Sequence, residues 1–263
     1  MHILLTSGTV RQQTKLTKPL YEKRQAVVSK IPNFWPLVLE QAPPDIDEFI
    51  QPTDSAILLT ALTGLSVSRF EIENGNNGDP RSVAIRLEFS ENEYFEDKVL
   101  EKKFWYRHDK DGDGSLVSEP VDIKWKAGKD QTNGLLGMVK AVWDEEVAAG
   151  KQWSPVKPSE YTAKQKALKE KIEKVGLGGM SFFAWFGYRG SRISAEASKA
   201  AKEKVAAERE AHKRGENTDQ EMDDDDDEEE EDEMELEIFP EGDSLAVAIS
   251  DDLWPGALRY FSE

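Results

Sequence analysis

An α+β fold is predicted for this chain, and three observations along it carry that prediction. Up to Gly64, apolar residues recur at helical spacing and are punctuated by proline. They then alternate with polar residues at period two, as a half-buried strand requires. Helical spacing returns in the last 25 residues, so helices bracket an antiparallel meander and cover one of its faces.

Val10 to Lys30 sets Leu16, Leu20, Val27 and Ile31 roughly on one stripe, with Pro19 expected to interrupt the helix and Pro32 to end it. Asn33 to Gln41 (NFWPLVLEQ) reads as a short, very apolar helix, and Asp45 to Ile50 adds a turn or two between Pro44 and Pro52. Thr53 or Asp54 is placed to cap a helix over Ser55 to Thr63, which Gly64 would end. Leu65 to Ile72 and Ser82 to Phe89 alternate as strands on either side of ENGNNGDP, a strong turn signal. Lys98 to Arg107 reads as a third strand, and Ser118 to Trp125 contains a fourth. Connections so short require antiparallel pairing. The aromatic run Met180 to Phe186 (MSFFAWF) must be buried. Asp243 to Ser250 and Leu253 to Phe261 close the chain as short helices, with Trp254, Tyr260 and Phe261 as core anchors.

Charge is distributed unevenly. The 263 residues hold 52 acids against 34 bases, a net charge of −18, which disfavours direct binding to a phosphate backbone. Glu221 to Glu237 alone holds 14 of those acids and no base; without it 38 acids face 34 bases and the net charge is −4. Such a run repels itself and has little apolar surface to bury, so disorder is expected from Asp219 through the end of the run. It reads either as a solubilising loop or as a polyanion that mimics a phosphate backbone and recruits basic proteins. Upstream, Ser194 to Arg214 is rich in Ala, Lys and Glu and is expected to form a long exposed helix that packs weakly if at all. Ser159 to Val175 has the same character with a lysine excess. The lysines beside the run could also fold back and mask it. With no cysteine there is no disulfide, thiolate zinc site or thiol nucleophile. No apolar run reaches the ~20 residues of a membrane helix.

One local motif invites a metal. Asp109, Asp111, Asp113 and Gly114 fall at the first positions of a calcium-binding EF-hand loop. Position twelve is Pro120, however, with Glu119 one place early, and the flanks read as strands, so a Gly- and Asp-rich hairpin turn is expected instead. Catalytic signatures are missing from the sequence: His2, His108 and His212 fall near a terminus, a turn and an exposed helix, and there is no phosphate loop or nucleophile elbow. The chain reads as a non-enzyme without a cofactor.

Five segments together resemble the nucleosome assembly protein family of histone chaperones, in its SET-like branch. They are KPLYEKRQAVVSKIPNFW (Lys18 to Trp35), FSENEYFEDKVLEKKF (Phe89 to Phe104), VDIKWKAGKD (Val121 to Asp130), SFFAWF, and DDLWP with LRYF (Leu258 to Phe261). FPEGDSLA (Phe239 to Ala246) is similar to fungal members in particular. The resemblance implies an N-terminal dimerisation helix over 10–31, shorter than is usual for the family, after an atypical segment 1–9. It then implies an earmuff domain over 32–190 and 238–263, with a four-stranded antiparallel sheet covered by helices. A charged helical insert (191–218) and the acidic run (219–237) interrupt that domain, whereas the family's acidic tail usually follows DDLWP. It further implies a homodimer through Leu16, Leu20 and Val27 and a nuclear location with shuttling to the cytoplasm. Core histones would be the partners, and DNA would be met only through them. They would be held by the run, at Asp223, Asp224, Asp225, Asp226, Asp227, Glu228, Glu229, Glu230, Glu231, Asp232 and Glu233. Glu241, Asp243, Asp251 and Asp252, which flank its return, would contribute as well. A helix N-cap for Asp243 and first-turn charges for Asp251 and Asp252 are the purely structural alternatives. A histone acetyltransferase is a candidate partner, and the competing function is an acidic adapter or inhibitor that docks such an enzyme or a phosphatase.

Overall fold

Strands β1 (Leu62–Ser68), β2 (Val83–Phe89), β3 (Val99–His108) and β4 (Gly114–Ser118) form one antiparallel sheet in that order. The computed structural model describes residues 7–75, 77–214 and 234–262. The period-two pattern fixes the register: Leu65 faces Leu87 and Leu87 faces Leu100, while Val67 faces Ile85 and Ile85 faces Lys102. Across β1, β2 and β3 as far as Phe104 the inner face is therefore apolar except for Lys102, and Arg86, Glu88, Glu101 and Lys103 lie on the outer one.

Three strand boundaries differ from the expected ones. β1 starts at Leu62, directly after helix α4 (Pro52–Ala61), so Gly64 does not end a helix but sits at a bulge in the strand. Residues Phe70–Gly75 turn into a 3₁₀ helix rather than extending β1. The fourth strand precedes the segment expected to contain it, because the tight turn after His108 brings Gly114 straight back opposite it. Beyond Ser118, Pro120 has no N–H to offer a ladder. The chain instead bonds outward, Val121 N–H to Phe186 O (2.8 Å), with a lone bridge between Phe95 and Trp125.

The inner face is filled by the aromatic run. Phe182–Gly187 forms a wholly buried 3₁₀ turn, with Phe104 stacked on Trp185 at 5.2 Å and Phe183 meeting Phe95 and Trp125 at 5.7 and 5.6 Å. Helix α4 is tied to this turn through Asp54. Asp54 is not the N-cap: the helix starts at Pro52 with Gln51 before it, and the carboxylate of Asp54 accepts from Gln51 N–H, Ser181 Oγ and Phe182 N–H (3.0, 2.6 and 2.7 Å). Helices α2 (Phe34–Glu40) and α3 (Pro44–Asp47) complete the N-terminal side, followed later by α5 (Leu135–Ala148) and α6 (Ala163–Val175).

Helix α1 (Ser7–Val28) runs unbroken through Pro19, on its exposed side, where the carbonyl that loses an N–H partner can face water. Its end is held by Tyr21 against Trp254 (4.1 Å between rings) and by Arg24, which donates to Trp254 O at 2.5 Å.

Helix α7 (Ala195–Lys213) packs more firmly than its alanines suggested. Ser198 and Ala201 are buried on the end of β3, Ser198 Oγ accepts from His108 N–H (2.8 Å), and Lys202 reaches Asp79 (3.0 Å). Small side chains allow that approach. The acidic run also ends earlier than expected: Leu236 and Glu237 are buried, so the chain has joined the folded body by then. Asp223 to Glu233, the core of the run, lie outside the described residues. The last elements are α8 (Gly242–Ala248), a π turn (Ile249–Leu253) and α9 (Ala257–Ser262). Among the described residues no helix is long and apolar enough to cross a membrane.

Candidate functional site

The return of the chain after residue 233 is a built structure. Glu235 is held at the surface, where Lys169 Nζ and the Tyr161 hydroxyl of α6 and its approach donate to it at 2.6 and 3.2 Å. Two residues on, the Glu237 carboxylate is fully inside, accepting N–H bonds from Arg189, Gly190 and Phe239 (2.9, 3.2 and 3.1 Å). Burial pushes its carboxyl above the usual range, opposed by those three donors and by Lys102. Lys102, at an inward position of β3, donates to the carbonyls of Glu119, Phe186 and Tyr188 at 3.0, 3.0 and 2.9 Å. Burial pushes its ammonium down to about 7, against the attraction of Glu237 and Glu119. Glu237 thus ties the return segment to the backbone of Arg189 and Gly190, directly after the buried turn whose carbonyls hold Lys102.

FPEGDSLA then turns into α8. Gly242 permits this close approach: its carbonyl accepts from Trp185 Nε1 (2.8 Å), and a Cβ on it would stand 2.4 Å from the Tyr188 ring. Glu241, exposed, occupies the N-cap position, and half-buried Asp243 lies in the first turn with its carboxylate on Ser244 N–H (2.8 Å). Asp243 is therefore not the N-cap residue. Helix α8 packs against α3, with the Phe49 and Phe239 rings 5.3 Å apart beside them. On α3 and just after it, Asp45, Asp47 and Glu48 are all exposed. Among the described residues no ion pair reaches Asp45, Asp47, Glu48, Glu241 or Asp243. These neighbouring elements therefore present an uncompensated negative surface directly after the anchored return.

The other two flanking acids differ. Asp251 is paired with Arg69 at 2.6 Å, and Asp252 accepts from Arg259 and the Tyr260 hydroxyl at 3.0 and 2.8 Å. Their charge is largely spent within the fold. The acids of α3 were missed in the sequence; the signal was PPDIDEF, in which only Ile46 and Phe49 turn inward. Leu16, Leu20 and Val27 of α1 are 66%, 61% and 61% exposed, an apolar stripe turned away from the body.

The Asp109 loop is a hairpin turn. Asp109 Oδ1 accepts from Asp111 N–H and Asp113 N–H (3.0 and 2.9 Å), which shapes the turn. Among the described residues no group of three His, Asp or Glu could hold a metal ion.

A family profile described as nucleosome assembly protein matches residues 6–263. Protein SET of Drosophila melanogaster is 31% identical over 263 residues, covering 95% of this chain and 62% of that protein. Vacuolar protein sorting-associated protein 75 of Saccharomyces cerevisiae is 25% identical over 249 residues, covering 94% and 67%. A crystal structure of Vps75 matches with a TM-score of 0.57 at 20% identity, over 97% of this chain and 89% of that one. Another Vps75 structure is described as that of a histone chaperone. A crystal structure of Ccp1 matches with a TM-score of 0.52 at 24% identity, over 96% and 84%. At such identities the structural likeness establishes the fold. The chain spans about half to two thirds of the length of the first curated relatives it matches, 51% of a Schizosaccharomyces pombe protein and 62% of SET.

Proposed function

Since the chain belongs to the nucleosome assembly protein family, we propose that it is a histone chaperone that shields basic core histones during nucleosome assembly. The observation that carries this reading is the pairing of two anionic elements. One is a run of 14 acids without a base; the other is the unpaired carboxylates of α3 and α8, just after the point where that run rejoins the fold. The run supplies long-range attraction and fast capture, and the folded surface supplies orientation. No covalent step is involved. DNA is met only through the bound histones, and the protein works in the nucleus, shuttling through the cytoplasm. The exposed stripe Leu16, Leu20 and Val27 is the dimer contact, since three large apolar side chains on one helix are covered at little cost by a second copy.

The test is core-histone affinity across a salt series for three proteins: the full chain, one with residues 219–233 replaced by a neutral linker of equal length, and Glu241→Gln with Asp243→Asn. Screening acts on such exposed charges, so affinity should fall as salt rises and both variants should bind more weakly. Binding that ignores the linker replacement would place the site on the folded surface alone. Failure of all three proteins to bind histones would refute the function.

A further inference from the structure

The linker between α5 and α6 holds a sequence that histone binding does not use, WSPVKP over Trp153 to Pro158. Of the 12 prolines only Pro155 follows a hydroxyl residue, so Ser154-Pro155 is the one Ser/Thr-Pro step in the chain, and Lys157 stands three places after the serine. The steps Ser154-Pro155 and Lys157-Pro158 both bias the residue before proline toward extended backbone. Lys157 adopts it, at φ −77° and ψ 146°, and 155–157 belong to no helix or strand. Ser154, Pro155 and Lys157 are exposed. The stretch is held from either side, Trp153 by the Trp143 ring of α5 (5.4 Å) and half-buried Val156 against the core.

We propose that Ser154 is a phosphorylation site for a proline-directed protein kinase and that Arg192 receives the phosphate. The kinase brings ATP. Ser154 Oγ attacks the γ-phosphorus, the bond from that phosphorus to the β–γ bridging oxygen breaks, ADP leaves, and the hydroxyl proton passes to the catalytic carboxylate of the kinase. Such an enzyme reads an extended segment; Pro155 brings no N–H that would need a partner in its groove, and Lys157 offers a cation to recognise. Arg192 is already in place. Its guanidinium donates to Ser154 O at 3.2 Å and to Glu146 Oε1 at 3.0 Å. A phosphate on the same serine comes within its reach by rotation of that side chain. Glu146 keeps its compensation when Arg192 turns, because Arg189 donates to Oε2 at 2.7 Å and Gln165 to Oε1 at 2.9 Å. Burial, and then the Arg192 charge beside it, push the Arg189 guanidinium below its ordinary value, so the two cations repel. A dianion at Ser154 offsets that repulsion and gains charge-assisted hydrogen bonds. It also fastens the α5–α6 linker to the chain that enters α7 at Ala195. Neither step requires that the protein bind histones.

The full chain is incubated with ATP and a kinase of the cyclin-dependent class, and phosphate is located by mass spectrometry. It should appear on Ser154 and not on Ser159, which is exposed but has no proline after it. Pro155→Ala should slow the modification at least about tenfold, and Lys157→Ala about three- to tenfold. Phosphorus magnetic resonance then reads the second ionisation of the phosphate in the folded phosphoprotein. The neighbouring guanidinium should hold it at about 5 to 5.5, and unfolding in urea should return it to the ordinary value of about 6. Arg192→Gln should return it as well. No phosphate on Ser154, under conditions that fully modify a soluble Ser-Pro-x-Lys peptide, overturns the site. An ionisation equal in the folded and unfolded chains, or unchanged by Arg192→Gln, overturns the role of Arg192; if that variant does not fold, the comparison with urea decides alone.

Discussion

Replacing Glu237 with alanine should destabilise the fold far more than removing any acid of the neighbouring run. The carboxylate accepts three backbone N–H bonds, from Arg189, Gly190 and Phe239, and it offsets the buried charge of Lys102. Each orphaned buried donor costs about 1–3 kcal/mol, and the lost attraction for Lys102 adds to that. These losses overlap, so about 3–5 kcal/mol is expected in total, a large share of the roughly 5–15 kcal/mol that holds a typical domain together. Urea unfolding followed by tryptophan fluorescence would read it as a midpoint lowered by about 1–3 M, with an unchanged slope. The pH dependence has a definite sign. Between the folded Lys102 value of about 7 and its ordinary 10.5, the unfolded chain binds a proton that the folded chain has lost. Stability from this group therefore rises with pH across that window, and the deficit of Glu237→Ala should shrink there because Lys102 is already neutral. Combining Lys102→Met with Glu237→Gln should cost less than the sum of the two single changes. A cost for Glu237→Ala below about 1 kcal/mol, the range of an ordinary surface change, would refute the reasoning: the segment after residue 233 would then not be anchored inside the fold.

Three further outcomes are expected. Glu241→Gln with Asp243→Asn should weaken histone binding at low salt by about three- to tenfold, and Asp251→Asn with Asp252→Asn by less, because Arg69 and Arg259 already neutralise the latter pair; titration of the two double variants side by side decides it. Leu16→Asp with Leu20→Asp should reduce the mass seen by light scattering to that of one chain while leaving the far-ultraviolet circular dichroism of the folded chain unchanged, since neither side chain packs on its own fold. The Asp79 carboxyl is held well below its ordinary range, its burial being outweighed by hydrogen bonds from Arg81 and Lys202. Its contribution is therefore complete above its unfolded value of 3.8 and lost as pH falls below it. Asp79→Asn should accordingly speed amide exchange in α7 at neutral pH, and unchanged exchange would show that Lys202 does not hold that helix.

Local pattern was enough for much of this protein. Alternation placed β2 and β3 to within a residue, because a half-buried strand has only one way to sort its side chains. The apolar density of MSFFAWF required burial, and the clustering of 14 acids in one short run set that run apart from a nearly neutral remainder without any fold at all. Boundaries failed where the deciding contact was distant in sequence. Gly64 reads as a helix stop but belongs to a strand bulge set by its pairing with β2, and the π turn before α9 has no local signature. The tertiary structure alone decided which acids remain available. Asp251 and Asp243 look alike in sequence, yet Arg69 crosses from the end of β1 to neutralise the first and no cation reaches the second among the described residues. Lys102 is the sharpest case. Its sequence alternation places it inward, where a charge is costly; it is tolerated only because the carbonyls of Phe186 and Tyr188, more than 80 residues away, converge on it beside Glu237. Composition and periodicity report what a residue prefers, but the free energy of a charge depends on what surrounds it, and only the folded chain brings those surroundings together.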